Sequence, residues 1–285
     1  MNSLTPKTLA EFSAALSQAT SKTRILSGGT DLVIQLHQGR AEPDLLIYPG
    51  QIPELHKIHL TEDALHIGAM ATMAELSAAL DPVPEFRAIA DAASKVGSPQ
   101  IRSKATMAGN LCNASPAGDM LPVSRLYDLE LEVLSGDGTV SRLPADGFVL
   151  GPGKNALQSG QAVVGLVLDR KCWTGYVSAF RKIGFREYVS IAREGMGALI
   201  RFEPDGIIQD ARFALGAVAT SPIRIPEAEE RMIGRKLDQA LLEEVTAITA
   251  QTIHNNCRPT NRLYKTEAAR GLVADLFDMI QERIS

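Results

Sequence analysis

Leu26-Ser27-Gly28-Gly29-Thr30-Asp31-Leu32 is the stretch from which the fold of this chain can be read. Residues 24–26 read as a short apolar strand that runs directly into the turn, 31–38 as a helix, and 44–48 as a buried strand. That order is a βαβ-like start. It is preceded by a helix over 8–19, where Leu9, Phe12 and Leu16 fall at helical spacing behind Thr5 and Pro6. Glycines at such a turn let the backbone reverse sharply and let amide N–H groups approach an anion, with the following helix start adding partial positive charge. The same arrangement also serves as a plain strand-to-helix connection. It is neither the GxGxxG fingerprint nor the GxxxxGKS/T phosphate loop, so a nucleotide held here needs another architecture.

Further along, 56–60 and 64–67 read as short strands around a polar turn. Ile67-Gly68-Ala69-Met70-Ala71-Thr72 follows, then a helix over 73–80 and an alanine-rich helix over 86–96 that ends at Gly97-Ser98-Pro99. The stretch SKATMAGNLCNASPAGDMLP, residues 103–122, is too rich in Gly, Asn, Ser and Pro to be regular throughout. Composition leaves two readings of it: an irregular surface loop, or a site whose small polar residues donate to phosphate and ribose oxygens while Asp119 accepts from a hydroxyl. A helix is expected over 119–127. Gly136-Asp137-Gly138 between 130–134 and 139–142 signals a hairpin, and 162–168 reads as a further strand. From about Gly175 the pattern is strands 176–181, 195–203 and 207–217, then helices 228–233, 237–255 and 260–280, an α+β module. The expected division is 1–172, with subdomains of about 1–52 and 53–172, and 173–285, with Trp173 at the junction.

At 285 residues, 45% hydrophobic and 22% charged, the chain has an ordinary globular composition with room for two domains. A formal net charge of −4 without a basic run gives no footing for nucleic acid. No stretch approaches the roughly 20 apolar residues of a membrane span, and the first residues lack a signal peptide's apolar run, so a cytoplasmic protein is expected. Cys112, Cys172 and Cys257 are far apart and the five histidines lack HExxH spacing, so no metal site is expected from this chain. Cys112 has no basic partner nearby in sequence and reads as a small packed residue. Gly151-Pro152-Gly153-Lys154-Asn155 reads as a turn. Arg181-Lys182 with Arg186 is a solvated strand end or a source of positive charge for an anion.

The 26–32, 67–72 and 96–119 motifs together resemble the FAD-binding medium subunit of the xanthine dehydrogenase and carbon monoxide dehydrogenase family of molybdenum hydroxylases. Ala214-Leu215-Gly216-Ala217-Val218-Ala219 with Pro222-Ile223-Arg224 is similar to that family's C-terminal flavoprotein domain, and the resemblance spans nearly the whole chain in order. It implies an α+β protein: a two-subdomain FAD-binding domain of the vanillyl-alcohol-oxidase/PCMH type, then a small C-terminal domain of sheet plus helices. It implies that Leu26, Ser27, Gly28, Gly29, Thr30 and Asp31, with Thr106, Ala108, Gly109 and Asn110, cradle the FAD pyrophosphate through backbone amides, the Asp31 side chain turned away. It further implies that Asp119 holds the FAD, that Val96 packs near the flavin, and that Val164 borders adenine or ring through its backbone. Lys182 is implied beside the isoalloxazine, where it would stabilise negative charge on the reduced ring, and Ile191 at the ring edge; no catalytic acid or base is implied.

Members of that family carry electrons from the 2Fe–2S clusters of a small subunit to NAD, a quinone, oxygen or another acceptor, while a large subunit with a molybdenum cofactor hydroxylates the substrate. The resemblance thus implies an electron-transfer subunit in a dimer of heterotrimers. The branch resembling 4-hydroxybenzoyl-CoA reductase, which carries a cysteine-bearing insert, is disfavoured because no such cysteine set is present. Residues 258–265 are looser than the family pattern, which bears on the docking surface. Two other readings stand beside this one: a stand-alone flavin oxidoreductase of the same superfamily, and a non-catalytic assembly module that has lost FAD.

Overall fold

The computed structural model describes residues 2–186 and 189–284. Its first layer is a three-stranded parallel sheet with Leu45–Ile47 between Asn2–Leu4 and Arg24–Ile25. The helix Leu9–Leu16 begins at Thr8, whose hydroxyl accepts from the Glu11 N–H at 3.1 Å, so the cap lies closer to the helix than Thr5. Phe12, Leu16, Ile47, Ile52 and Leu55 fill the core of this layer, joined by Met70 and Val164 from the next one. The helix Leu32–His37 buries none of its residues.

The second layer is a five-stranded antiparallel sheet in the order Ile58–Leu60, Ala64–Gly68, Gln161–Asp169, Glu130–Ser135, Val140–Pro144. Alternate residues Leu65, Ile67, Leu131, Val133, Leu166 and Leu168 pack against the helices Met73–Leu80 and Arg87–Ser94 in the largest core. Here the structure departs from the sequence reading. Pro99–Arg102 and Met107–Asn113 are helical, and Thr106 to Asn110 is a helix start rather than an open turn. Ser98 and Thr106 cap them, accepting from the Ile101 and Gly109 N–H groups at 3.3 and 3.0 Å. Caps supply locally what the glycine- and asparagine-rich composition withholds. The second helix stops at Ala114, in the left-handed region at φ 48°. Residues Gly151 to Asn155 join a small two-stranded hairpin, Val149–Gly151 with Lys154–Asn155.

The third layer is antiparallel, in the order Tyr176–Gly184, Ala192–Phe202, Ile208–Gly216, Ile223–Arg224. Met196, Ala198 and Ile200 turn to one face, under the helices Pro226–Met232, Gln239–Asn256 and Pro259–Ile284. The opposite face needs glycine: a Cβ on Gly197 or on Gly216 would lie 2.7 Å from Leu126 or Pro122. The sheet is therefore pressed onto the second layer. Trp173 is buried at this seam, edge-on to Tyr127 and Tyr176 at 5.6 Å each, with the Arg212 guanidinium 4.4 Å from its ring centroid.

The last helix is tied across the seam by one fork. Arg283 donates to both Asp91 oxygens at 2.9 and 3.0 Å and to the Ser178 carbonyl, while Asp91 also accepts from the Phe180 N–H. Both side chains are largely buried, and removing Arg283 leaves the Asp91 charge to the Phe180 N–H and the longer Arg87 contact at 3.6 Å. Arg283→Ala is expected to lower the unfolding free energy by about 3 kcal/mol, and Arg283→Lys by nearly as much because an ammonium cannot form the fork. Urea unfolding of the two variants checks this; a full rescue by lysine would rule out the bidentate account.

Candidate functional site

The two glycine-rich stretches, distant in sequence, meet in space. The Ser27 hydroxyl lies 2.8 Å from that of Thr106 and donates to the Met70 sulfur at 3.4 Å. Thr72 forms an isolated antiparallel bridge with Thr106, and the Met73 N–H donates to the Ala105 carbonyl at 2.8 Å. The 67–72 motif thereby braces the second stretch from behind. Gly28 passes so close to the neighbouring chain that a Cβ there would lie 1.9 Å from the Lys104 carbonyl oxygen. Gly29 sits at φ +70°, where an L side chain is strained. Gly109 lies in the first turn of its helix, and a Cβ on it would stand 3.7 Å from Ser27. The result is a shallow cradle between two chain reversals, into which first-turn amides without helical acceptors can point.

The cradle's residues hold their backbone in specific ways. The Leu26 N–H extends the parallel sheet by donating to Ile47 at 2.8 Å. Thr30 is partly exposed and Ala108 is buried. The Asp31 carboxylate accepts from the Gln35 side chain one turn along its own helix. The Asn110 amide oxygen accepts from the Met120 N–H at 3.3 Å and so links the second helix to the segment bearing Asp119.

Asp119 and Lys182 form a buried pair. Oδ2 of Asp119 lies 2.6 Å from the Lys182 ammonium, and the two side chains are 7% and 8% exposed. The ammonium donates also to the Lys95 carbonyl at 3.0 Å. The other carboxylate oxygen, Oδ1, is buried with no partner. Burial pushes the Asp119 carboxyl up to about 6, against the opposing pull of Lys182. The lysine implied beside the isoalloxazine has its ammonium turned onto Asp119.

The remaining candidates are more scattered. Val96 is half-buried against the main core, and its carbonyl accepts from Arg102 at 3.2 Å. Val164 sits at a bulge in its strand: its side chain enters the N-terminal core and its carbonyl accepts from the Ala69 N–H at 3.1 Å. Ile191 is 76% exposed and lies outside the crevice that its neighbour Ala192 lines together with Asp119. Cys112 is pushed up to about 12 by burial, which removes it as a thiolate nucleophile. Sequence reasoning missed Lys104 and Lys95, because both act through main-chain carbonyls that carry no residue-type signal. It missed Met70 and Thr72 as contacts although it had singled out their motif.

Among the described residues no group of three or more metal-capable side chains gathers, and no helix is long and apolar enough to cross a membrane. Comparison with known proteins fits this geometry. Residues 1–168 match the FAD binding domain in molybdopterin dehydrogenase, and residues 178–280 match the CO dehydrogenase flavoprotein C-terminal domain. The nicotinate dehydrogenase FAD-subunit of Eubacterium barkeri is 31% identical over 284 residues, covering 98% of this chain and 95% of that one. The xanthine dehydrogenase FAD-binding subunit of Escherichia coli O157:H7 is 31% identical over 81% of this chain and 79% of its own length. In fold the chain superposes on carbon monoxide dehydrogenase from Hydrogenophaga pseudoflava with a TM-score of 0.87 at 24% identity, covering 99% of this chain and 98% of that one. With both of its modules matched and its fold shared, this chain belongs to the FAD-binding subunits of the molybdopterin dehydrogenases, and it is an oxidoreductase subunit whose cofactor is FAD.

Proposed function

We propose that this chain is the electron relay of a molybdenum-dependent hydroxylase or dehydrogenase. In this reading it receives electrons from the 2Fe–2S clusters of a small partner subunit and delivers them to NAD or another acceptor. A large molybdenum-cofactor subunit completes the complex, arranged as a dimer of heterotrimers in the cytoplasm. The observation that carries the reading is the convergence of the two glycine-rich stretches through Ser27 and Thr106.

The residues fit the cofactor. Space that a Cβ at Gly109 would fill faces Ser27, and the unpartnered Oδ1 of Asp119 asks for a hydroxyl donor. In this assignment Leu26 to Asp31 and Thr106 to Asn110 offer amides to the pyrophosphate, and Asp119 accepts from a hydroxyl of the ribityl chain or ribose. Val96, Val164 and Ile191 border the cofactor's rings, Val164 through its backbone, and Lys182 stands behind Asp119. Bound FAD supplies the capacity to exchange electrons singly on one side and in pairs on the other. The chain's own part is to bind it, orient it and set the charge around it. The division at 172 and 173 belongs to the same proposal and is supported by sheet membership, since no strand of the third layer begins before Tyr176.

Co-purification from the native host tests this. The expected preparation contains FAD, molybdenum and iron with two further chains, and its reduced flavin is reoxidised by an added acceptor such as NAD. Turnover of an organic substrate by the isolated chain would replace the relay reading with a stand-alone oxidoreductase. A colourless chain that fails to take up FAD would replace it with an assembly module.

A further inference from the structure

We propose that Lys182 serves FAD binding through Asp119: its ammonium fixes one carboxylate oxygen, so that the other oxygen stays turned toward a cofactor hydroxyl. This rests on the reading of Asp119 as a cofactor contact and assigns a position for each of its oxygens. Lys182 is then a positioning residue for Asp119.

Three observations carry it. The ammonium is committed twice, to Asp119 Oδ2 at 2.6 Å and to the Lys95 carbonyl at 3.0 Å. These two acceptors come from separate segments, so the lysine is triangulated between the end of an alanine-rich helix, its own strand and the Asp119 segment. Second, Oδ1 is buried and unpartnered, the arrangement of a carboxylate missing one donor. Third, among the described residues the surroundings offer no substitute for the lysine. Lys182 is the charged group acting on this carboxyl, and the rest of the crevice is small or apolar, with Gly118, Pro122, Phe180, Gly195 and Gly216 among its walls.

The consequence is a linkage. Burial favours the neutral acid and Lys182 opposes it, leaving the group to titrate at about 6. Without the lysine it titrates higher. A neutral carboxyl is a poorer acceptor than a carboxylate for the same hydroxyl. FAD affinity of the wild-type chain is therefore expected to be flat above about pH 7 and to fall as pH drops through 6.

The test is equilibrium titration of the deflavinated full-length chain with FAD between pH 5.5 and 9, following flavin fluorescence, for wild type, Lys182→Met, Lys182→Arg and Asp119→Asn. Lys182→Met is expected to bind about tenfold more weakly at pH 7, with the deficit shrinking as pH rises, while Lys182→Arg keeps the wild-type profile. Asp119→Asn is expected to bind weakly at every pH, and adding Lys182→Met to it to cost little more. Lys182→Arg keeps the charge at this position, so a poorly folding methionine variant does not leave the question open. Additive losses in the double variant, or a Lys182→Met chain whose pH profile is unchanged while its flavin potential shifts, would overturn the proposal and place Lys182 at the ring. If Asp119→Asn binds FAD as tightly as wild type, it is the assignment of Asp119 that fails.

Discussion

Gly109→Val protein is expected to fold and to come out of purification without FAD. A Cβ at position 109 meets one tight neighbour, the Thr106 hydroxyl at 3.0 Å, and otherwise stands 3.7 Å from Ser27. The folding cost is then that of disturbing one helix cap, about 1 kcal/mol. A valine side chain, however, fills space between the two chain reversals, where in the proposed assignment a pyrophosphate reaches the amides. Gly28→Ala is the contrasting case. Its Cβ would lie 1.9 Å from the Lys104 carbonyl oxygen and 2.5 Å from its carbon, both backbone atoms that no rotamer change can move. That substitution is expected to lower the unfolding free energy by about 3 kcal/mol or more, because the two segments must separate. The pair distinguishes a glycine required by the ligand from one required by the fold. Thermal melts and flavin content together check it, and stoichiometric FAD in folded Gly109→Val would remove Gly109 from the site.

The contrast also shows which parts of the site were legible in the sequence. The strands, the long helices and the parallel start followed from periodicity and turn chemistry. Met73–Leu80 came out with the bounds expected for it, its start held by a Thr72/Glu75 capping box. The helix Met107–Asn113 was not legible by composition, since Gly109 and Asn110 count against a helix while the Thr106 cap that starts it is a single hydroxyl. The meeting of Ser27 with Thr106 was out of reach for any local rule, because nothing in two separated turns says that they touch. Family resemblance grouped those stretches, and the geometry explains the grouping. Lys182 shows the limit of such reading. Its basic character was visible, but the direction of its charge depends on a carboxylate far along the chain.

A Glu194→Gln chain is expected to be more stable than wild type at pH 9 and to gain nothing at pH 4. Glu194 lies on the strand Ala192–Phe202, on the face shared by Met196, Ala198 and Ile200, and it is fully buried with neither carboxylate oxygen partnered. Burial pushes it up to about 8, with Lys265 and Arg193 pulling weakly the other way. Lys265 acts on it through space without bonding to it, because that ammonium is turned to the Ala217 carbonyl. For an acid whose folded value is raised, no stability is lost while both states are protonated, below about 4.5. The loss grows as the unfolded chain ionises and the folded one resists, and it is complete above about 8. Discounted for rearrangement and water entry, the full effect is about 3 kcal/mol. The difference in unfolding free energy between the glutamine variant and wild type should therefore move by that amount in favour of glutamine between pH 4 and pH 9. Denaturant unfolding at pH 4, 6.5 and 9 measures it. Parallel stability curves would mean that Glu194 has found a partner, and a glutamine variant that is less stable at pH 9 would mean that Lys265 turns to it as an ion pair.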